Sequence, residues 1–128
     1  MEAYTNLVAE NIRLNLLDAD DVAYFTDIVN SLKANDRTGI QNMSSSMFAD
    51  IDDNKDGRIC FEEWYKHMRN DLKGMLGVDV DKEVLSDMFK RFDKNGNGEI
   101  DEKEGLEFLV YLFETVVGPA LELSKKSD

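Results

Sequence analysis

Apolar residues recur at three- and four-residue steps along most of the chain, which is the spacing that one face of an α-helix requires. Six such stripes are present, and each predicts an amphipathic helix. The stripes consist of Leu7, Val8, Ile12, Leu16 and Leu17; of Val22, Phe25, Ile28, Val29 and Leu32; of Ile40, Met43, Met47, Phe48 and Ile51; of Phe61, Trp64, Tyr65, Met68 and Leu72; of Val84, Leu85, Met88, Phe89 and Phe92; and of Leu106, Leu109, Leu112, Phe113, Val116 and Val117. The pattern therefore predicts an all-α fold.

Two polar, glycine-bearing breaks interrupt this pattern, at residues 52–58 and at residues 93–99. Each break lies between two helical stripes, so that helix, polar loop and helix occur twice between residues 40 and 117. The loops start at 52 and 93, 41 residues apart, which indicates an internal repeat. Gly118-Pro119 is expected to end the last helix. Two alternatives exist for the tail Ala120-Leu121-Glu122-Leu123, a helix beyond Pro119 that occupies the protein's own groove or a frayed end, and fraying is the favoured expectation.

Both breaks begin a twelve-residue segment with the same distribution of oxygen-bearing side chains. Residues 52–63 read DDNKDGRICFEE, and residues 93–104 read DKNGNGEIDEKE. In each segment Asp or Asn occupies positions 1, 3 and 5, glycine occupies position 6 and glutamate occupies position 12, which is the pattern of a Ca²⁺-binding loop. With these loops and their flanking helices, the chain resembles the EF-hand family.

The resemblance implies which groups would bind the metal. Ca²⁺ prefers roughly six to eight oxygen ligands, and side chains at alternate positions converge as a loop curls. In the family, positions 1, 3 and 5 supply side chains, position 7 supplies a backbone carbonyl and position 12 supplies a bidentate carboxylate. The implied ligands of the two Ca²⁺ ions are Asp52, Asn54, Asp56, Arg58 and Glu63 in the first loop and Asp93, Asn95, Asn97, Glu99 and Glu104 in the second.

The turn and the centre of each loop also resemble the family. Gly57 and Gly98 stand at the sharp turn, where a residue without Cβ meets little steric cost. Ile59 and Ile100, at position 8, imply that the loops pair in a short β-ladder. Because two like charges 4 Å apart repel by roughly 4 kcal/mol at an effective dielectric of ~20, the carboxylate-rich loops are expected to be looser without Ca²⁺.

Cys60 departs from the family pattern, because it stands at position 9 of the first loop, where an oxygen-bearing residue is usual. A thiol is a soft ligand and suits Ca²⁺ poorly, but position 9 often acts through a water, so the site is expected to survive. We interpret Cys60 as a space-filling residue, with a redox role as the alternative. The second loop has the amides of Asn95 and Asn97 where other members often have Asp.

Charge and cysteine content restrict the partners and the compartment. The chain has 15 Lys and Arg against 27 Asp and Glu, a net charge of −12. This balance argues against nucleic acid and anionic membranes and favours cations or basic peptides. The single cysteine cannot form an internal disulfide, and neither a signal peptide nor a transmembrane stretch is recognisable, so we expect a cytoplasmic, intracellular protein without a direct membrane anchor.

The predicted organisation has three parts: a helical segment at 1–39 without loop ligands, a pair of EF-hands at 40–118 with loops 52–63 and 93–104, and a tail at 119–128. The two N-terminal amphipathic helices are expected to pack with the EF-hand unit. Their position before the pair resembles the layout of parvalbumin, and also one half of a calmodulin with added helices.

Two roles are compatible with these loops. The favoured prediction is a sensor in calcium signalling, which exposes a methionine-rich groove to a partner protein or an amphipathic basic helix. The methionines concerned are Met43, Met47, Met68, Met75 and Met88. The alternative is a parvalbumin-like buffer whose apolar face is covered by the N-terminal helices. An enzyme is not expected, because His67 is the only histidine and the sequence has no recognisable nucleophile–base set.

Overall fold

A computed structural model describes residues 2–52, 55–94 and 96–125 of the chain. The helices are α1 (Glu2–Arg13), α2 (Ala19–Lys33), α3 (Thr38–Ile51), α4 (Phe61–Leu76), α5 (Lys82–Phe92), α6 (Glu102–Leu112) and α7 (Gly118–Lys125); a π-helical segment covers Phe113–Val117; and the strands are β1 (Arg58–Cys60) and β2 (Glu99–Asp101). The all-α prediction is confirmed.

Two helix–loop–helix units form the middle of the molecule. The first consists of α3, its loop and α4, and the second consists of α5, its loop and α6. Strands β1 and β2 pair antiparallel between the two loops, with Ile59 opposite Ile100. Both isoleucines are almost fully buried, so the ladder joins the two units through their apolar position-8 side chains. The predicted β-ladder is confirmed.

Local interactions explain where two of the helices begin and end. Asp18 is the N-cap of α2, and its side chain accepts a hydrogen bond from the N–H of Asp20. Helix α4 runs through Gly74 and ends at Leu76, because Gly77 adopts a left-handed conformation with φ of 69° that terminates the helix.

The end of the chain differs from the sequence prediction. Gly118-Pro119 does not stop the helix: a π-helical segment carries it into α7, and the N–H of Gly118 donates to the carbonyl of Phe113, five residues earlier. Pro119 lies in the first turn of α7, which is the part of a helix where proline is tolerated. Ala120 and Leu121 are buried, so the expectation that they fray is wrong.

One hydrophobic core joins all of these elements. Trp64 contacts the rings of Phe89 and Phe108, at centroid distances of 5.5 and 5.1 Å, and thereby links the two helix–loop–helix units. Phe25 of α2 packs edge-on against Phe113, with the ring centroids 5.8 Å apart. Helix α1 packs along α7. Among the described residues, no helix is both long and apolar enough to cross a membrane.

Candidate metal centres

The first residue of each loop is a buried aspartate. Asp52 is 5% exposed and Asp93 is 9% exposed. In both, Oδ2 accepts a hydrogen bond from the N–H of the loop glycine, Gly57 at 2.9 Å and Gly98 at 2.8 Å. In both, Oδ1 is fully buried and has no hydrogen-bond partner among the described residues. A buried carboxylate oxygen without a partner is costly, and a cation is the group that would offset that cost.

Positions 5 and 7 of the loops also match each other. Oδ1 of Asp56 accepts from the N–H of Arg58 at 2.9 Å, and Oδ1 of Asn97 accepts from the N–H of Glu99 at 3.1 Å. The position-7 side chains have opposite charges, and Nη1 of Arg58 lies 3.9 Å from Oε1 of Glu99. The family pattern assigns only the backbone carbonyls of this position to the metal, so this ion pair uses no implied ligand.

The position-12 glutamates close the loops through backbone hydrogen bonds. Oε1 of Glu63 accepts from the N–H of Cys60 at 3.2 Å, and Oε1 of Glu104 accepts from the N–H of Asp101 at 3.0 Å. The carboxylate of Glu104 also spans the loop, because its Oε2 accepts from the N–H of Lys94 at 3.0 Å. Both glutamates therefore already face back toward their own loops.

The two loops differ chemically at position 9. Oδ1 of Asp101 accepts from the N–H of Glu104 at 2.8 Å, so that Asp101 and Glu104 form a reciprocal capping box at the start of α6. Cys60, a half-buried thiol, is the N-cap of α4 at the equivalent point. A thiol is the weaker acceptor and has no formal charge when protonated, so the first loop begins its helix with a weaker cap.

Lys94 is a feature of the second loop that the motif did not reveal. Its Nζ lies 2.9 Å from Oε2 of Glu107 on α6, and this hydrogen bond raises the pKa of Lys94 above its ordinary value. The same residue donates its N–H to Glu104. Lys94 thus ties the beginning of the loop to the helix that follows it.

The side chains of the two loops are of the chemical type that a hard cation such as Ca²⁺ binds. Every predicted side-chain ligand carries oxygen, and loop geometry repeats at positions 1, 5 and 12. Asn54 and Asn95, predicted ligands at position 3, lie outside the described residues. Within 2–52, 55–94 and 96–125, no group of three His, Cys, Asp or Glu side chains converges as a metal cluster. The ten ligand assignments therefore stay predictions.

A second candidate site is an apolar cavity between the helices. Four of the five methionines singled out in the sequence line it, while Met88 is buried elsewhere in the core. The lining side chains that matter here are Met43, Met47, Met68, Met75, Phe25 and Asp71. Burial raises the pKa of Asp71, and the charge of Asp50 acts in the same direction while that of His67 opposes it.

Comparison with known proteins places these features in a family. Residues 45–110, just over half of the chain, match the family described as EF-hand domain pair. A 69-residue stretch is 42% identical to peptidyl-prolyl cis-trans isomerase FKBP10 of Mus musculus. That match covers 50% of this chain and 12% of the length of the mouse protein. No solved structure matches the chain.

Proposed function

The chain belongs to the EF-hand domain pair family and is a calcium-binding protein of that family, and from this premise we propose that it is a Ca²⁺ sensor that acts through a partner protein. Each loop, 52–63 and 93–104, takes one Ca²⁺ ion. The observation that carries the proposal is a pair of buried oxygens at equivalent positions of the two loops, Oδ1 of Asp52 and Oδ1 of Asp93, which have no hydrogen-bond partner among the residues that the structure describes.

The proposed ligands follow the loop positions. In the first loop they are the side chains of Asp52, Asn54, Asp56 and Glu63 and the carbonyl of Arg58; in the second they are the side chains of Asp93, Asn95, Asn97 and Glu104 and the carbonyl of Glu99. The absence of a tight carboxylate cluster among the described residues is compatible with this assignment, since like charges keep the carboxylates of one loop apart until a cation is bound.

The methionine-lined cavity supports a sensor. Thioether side chains are polarizable and adapt to different partner surfaces, and Met43, Met47 and Met75 are only partly buried. Asp71 lies in the wall of the cavity and the chain has a net charge of −12. We therefore expect the partner to be an amphipathic helix with basic residues beside its apolar face.

A parvalbumin-like buffer is the second candidate, and one contact favours it. Phe25, on α2, lines the same cavity as the methionines and packs against Phe113. If α2 stays in this position with Ca²⁺ bound, the apolar face is already occupied by the chain itself. The two candidates therefore differ in whether α2 leaves the cavity when Ca²⁺ is bound.

We propose no enzymatic activity for this chain. Isomerisation is the activity in the name of the mouse relative, and the match covers only 12% of that protein's length. An intracellular location is likewise part of the proposal, since it rests on the single cysteine and the reducing compartment that this implies. Fractionation of cells that express the full sequence would test it.

The deciding experiment is a calorimetric Ca²⁺ titration in millimolar Mg²⁺, combined with a fluorescent dye that binds exposed apolar surface. Two sites with Kd near 10⁻⁷–10⁻⁵ M and a rise in dye fluorescence would support the sensor. Values near 10⁻⁹–10⁻⁸ M without a dye signal would favour the buffer. Absence of saturable binding would contradict both.

A further inference from the structure

Helix α1 bridges the helices that follow the two calcium loops, which we call the exit helices: α4 for the first loop, and α6 with its π-helical continuation for the second. The bridge consists of polar contacts near the two ends of α1, made by Asn11 and Thr5. We call these two residues the polar clasp. The inference below rests on the proposed function.

Asn11 holds the end of the first exit helix. Its Nδ2 donates to the carbonyl of Leu76 at 3.0 Å and to the carbonyl of Gly77 at 3.2 Å. The last carbonyls of any α-helix lack a partner within the helix, so a side-chain donor from elsewhere is a favourable partner for them. Asn11 therefore acts as an external C-terminal cap of α4, supplied from 65 residues away in the sequence.

The fit at this contact is close. A Cβ at residue 77 would lie 2.8 Å from Nδ2 of Asn11, well inside van der Waals contact. Gly77 therefore serves two purposes, because it ends α4 in the left-handed conformation and also leaves the space that Asn11 occupies. Any residue other than glycine at 77 would therefore force Nδ2 of Asn11 to move.

Thr5 holds the second exit helix. Its side chain is buried, and its Oγ1 donates to the carbonyl of Thr115 at 3.3 Å, within the π-helical segment that continues α6. Thr5 and Asn11 lie six residues apart on one short helix, so movement at one end of the clasp is passed rigidly to the other. The exit helices of both loops are thereby connected through α1.

We propose that the polar clasp lowers the Ca²⁺ affinity of both sites, with Asn11 as a positioning residue that acts through α4. A sensor opens by moving its exit helices, and the clasp bonds stabilise the arrangement in which α4 and the π-helical segment are held together. Part of the free energy of Ca²⁺ binding is used to break the clasp bonds, so the observed affinity is lower. Loss of a clasp bond therefore makes binding tighter.

The test compares Asn11→Ala with Asn6→Ala in the full chain. Asn6 is exposed on the same helix, so both variants gain the same helix propensity and only one loses the clasp. We expect Asn11→Ala to lower the Ca²⁺ Kd by roughly three- to tenfold, the worth of about one hydrogen bond, and to slow Ca²⁺ release into a chelator. Asn6→Ala should match the unchanged chain in both measurements.

Thr5 supplies a second, independent arm. Thr5→Val keeps the shape of the side chain but loses its donor and should also tighten Ca²⁺ binding, whereas Thr5→Ser keeps the hydroxyl and should restore the original Kd. This arm remains decisive if Asn11→Ala does not fold. Unchanged or weaker Ca²⁺ binding in folded Asn11→Ala and Thr5→Val would overturn the proposal. If the unchanged chain itself binds no Ca²⁺, the proposed function fails first and the clasp proposal fails with it.

Discussion

Oγ1 of Thr5 donates a hydrogen bond to the main-chain carbonyl of Thr115 across 3.3 Å and 110 positions of sequence. Thr115 lies four residues before Pro119. In a regular α-helix the carbonyl of residue 115 would accept from the N–H of residue 119, and proline has no N–H. The first helix therefore supplies a donor to a carbonyl that residue 119 cannot serve.

Thr5→Val is expected to reduce the free energy of unfolding by about 1 kcal/mol, because the carbonyl of Thr115 loses this donor. In a Pro119→Ala background the loss should be smaller, since residue 119 regains an N–H. Urea unfolding of the four proteins in this double-mutant cycle measures the coupling. Equal losses in both backgrounds would show that the proline and the threonine are independent.

Glu104→Gln is expected to remove one of the two Ca²⁺ sites from the micromolar range, because an amide cannot replace the bidentate carboxylate that the family pattern assigns to position 12. Calorimetry should then report one ion per chain. Glu114→Gln is the matched control, with the same change at an exposed position of the π-helical segment that continues α6. Two retained sites in Glu104→Gln would refute the ligand assignment.

Cys60→Asp is expected to tighten the first site by roughly three- to tenfold. The second loop provides the precedent, since the carboxylate of Asp101 caps the N–H of Glu104 at 2.8 Å. An aspartate at 60 would cap α4 in the same way and add a negative charge beside the loop. The measurement is a Ca²⁺ titration in the Glu104→Gln background, with Cys60→Ser as a control that adds a cap without the charge.

Ile100→Ala is expected to cost about 2–3 kcal/mol of unfolding free energy, because Ile100 is almost fully buried opposite Ile59 in the ladder between the loops. It should also reduce cooperativity between the two sites, since the ladder joins them directly. Leu123→Ala, at an exposed position of α7, is the control and should change stability little. Undiminished cooperativity in Ile100→Ala would locate the coupling outside the ladder.

Asp71→Asn is expected to stabilise the protein at neutral pH by on the order of 0.5 kcal/mol, after allowance for solvent screening of this half-buried group. Burial raises the folded-state pKa of Asp71 above its ordinary value of 3.8. A raised pKa gives stability that is complete below the unfolded-state pKa and is lost as the pH rises through the folded-state pKa. The advantage of the Asn variant should therefore vanish below about pH 3.8, as thermal melting across pH would reveal.

The loops could be predicted because their determinants are local, and their pairing could be predicted because the family resemblance implies it for position 8. The pattern from Asp93 to Glu104 occupies twelve consecutive residues, and a matching isoleucine marks the ladder in each loop. The apolar stripes likewise predict helices without knowledge of what they contact. The roles of the metal ligands came from the family resemblance. The hydrogen bonds within each loop involve the same residues, but they do not test those roles.

Contacts between distant segments could not be predicted in the same way. The missing N–H of Pro119 predicted the end of a helix. The helix instead continues through a π-helical segment, because this buries Ala120 and Leu121. Nothing near Asn11 in the sequence indicates that its partners are the carbonyls of Leu76 and Gly77. Such contacts depend on how whole helices pack.

The close approach of Asn11 to Gly77 has a consequence for the evolution of this sequence. A Cβ at residue 77 would lie 2.8 Å from Nδ2 of Asn11, so residue 77 cannot acquire a side chain unless the side chain at residue 11 moves or becomes shorter. Among descendants of this chain, residue 77 should stay glycine wherever residue 11 stays asparagine. Lineages that acquire a side chain at 77 should carry a shorter residue at 11. We therefore expect the two positions to covary.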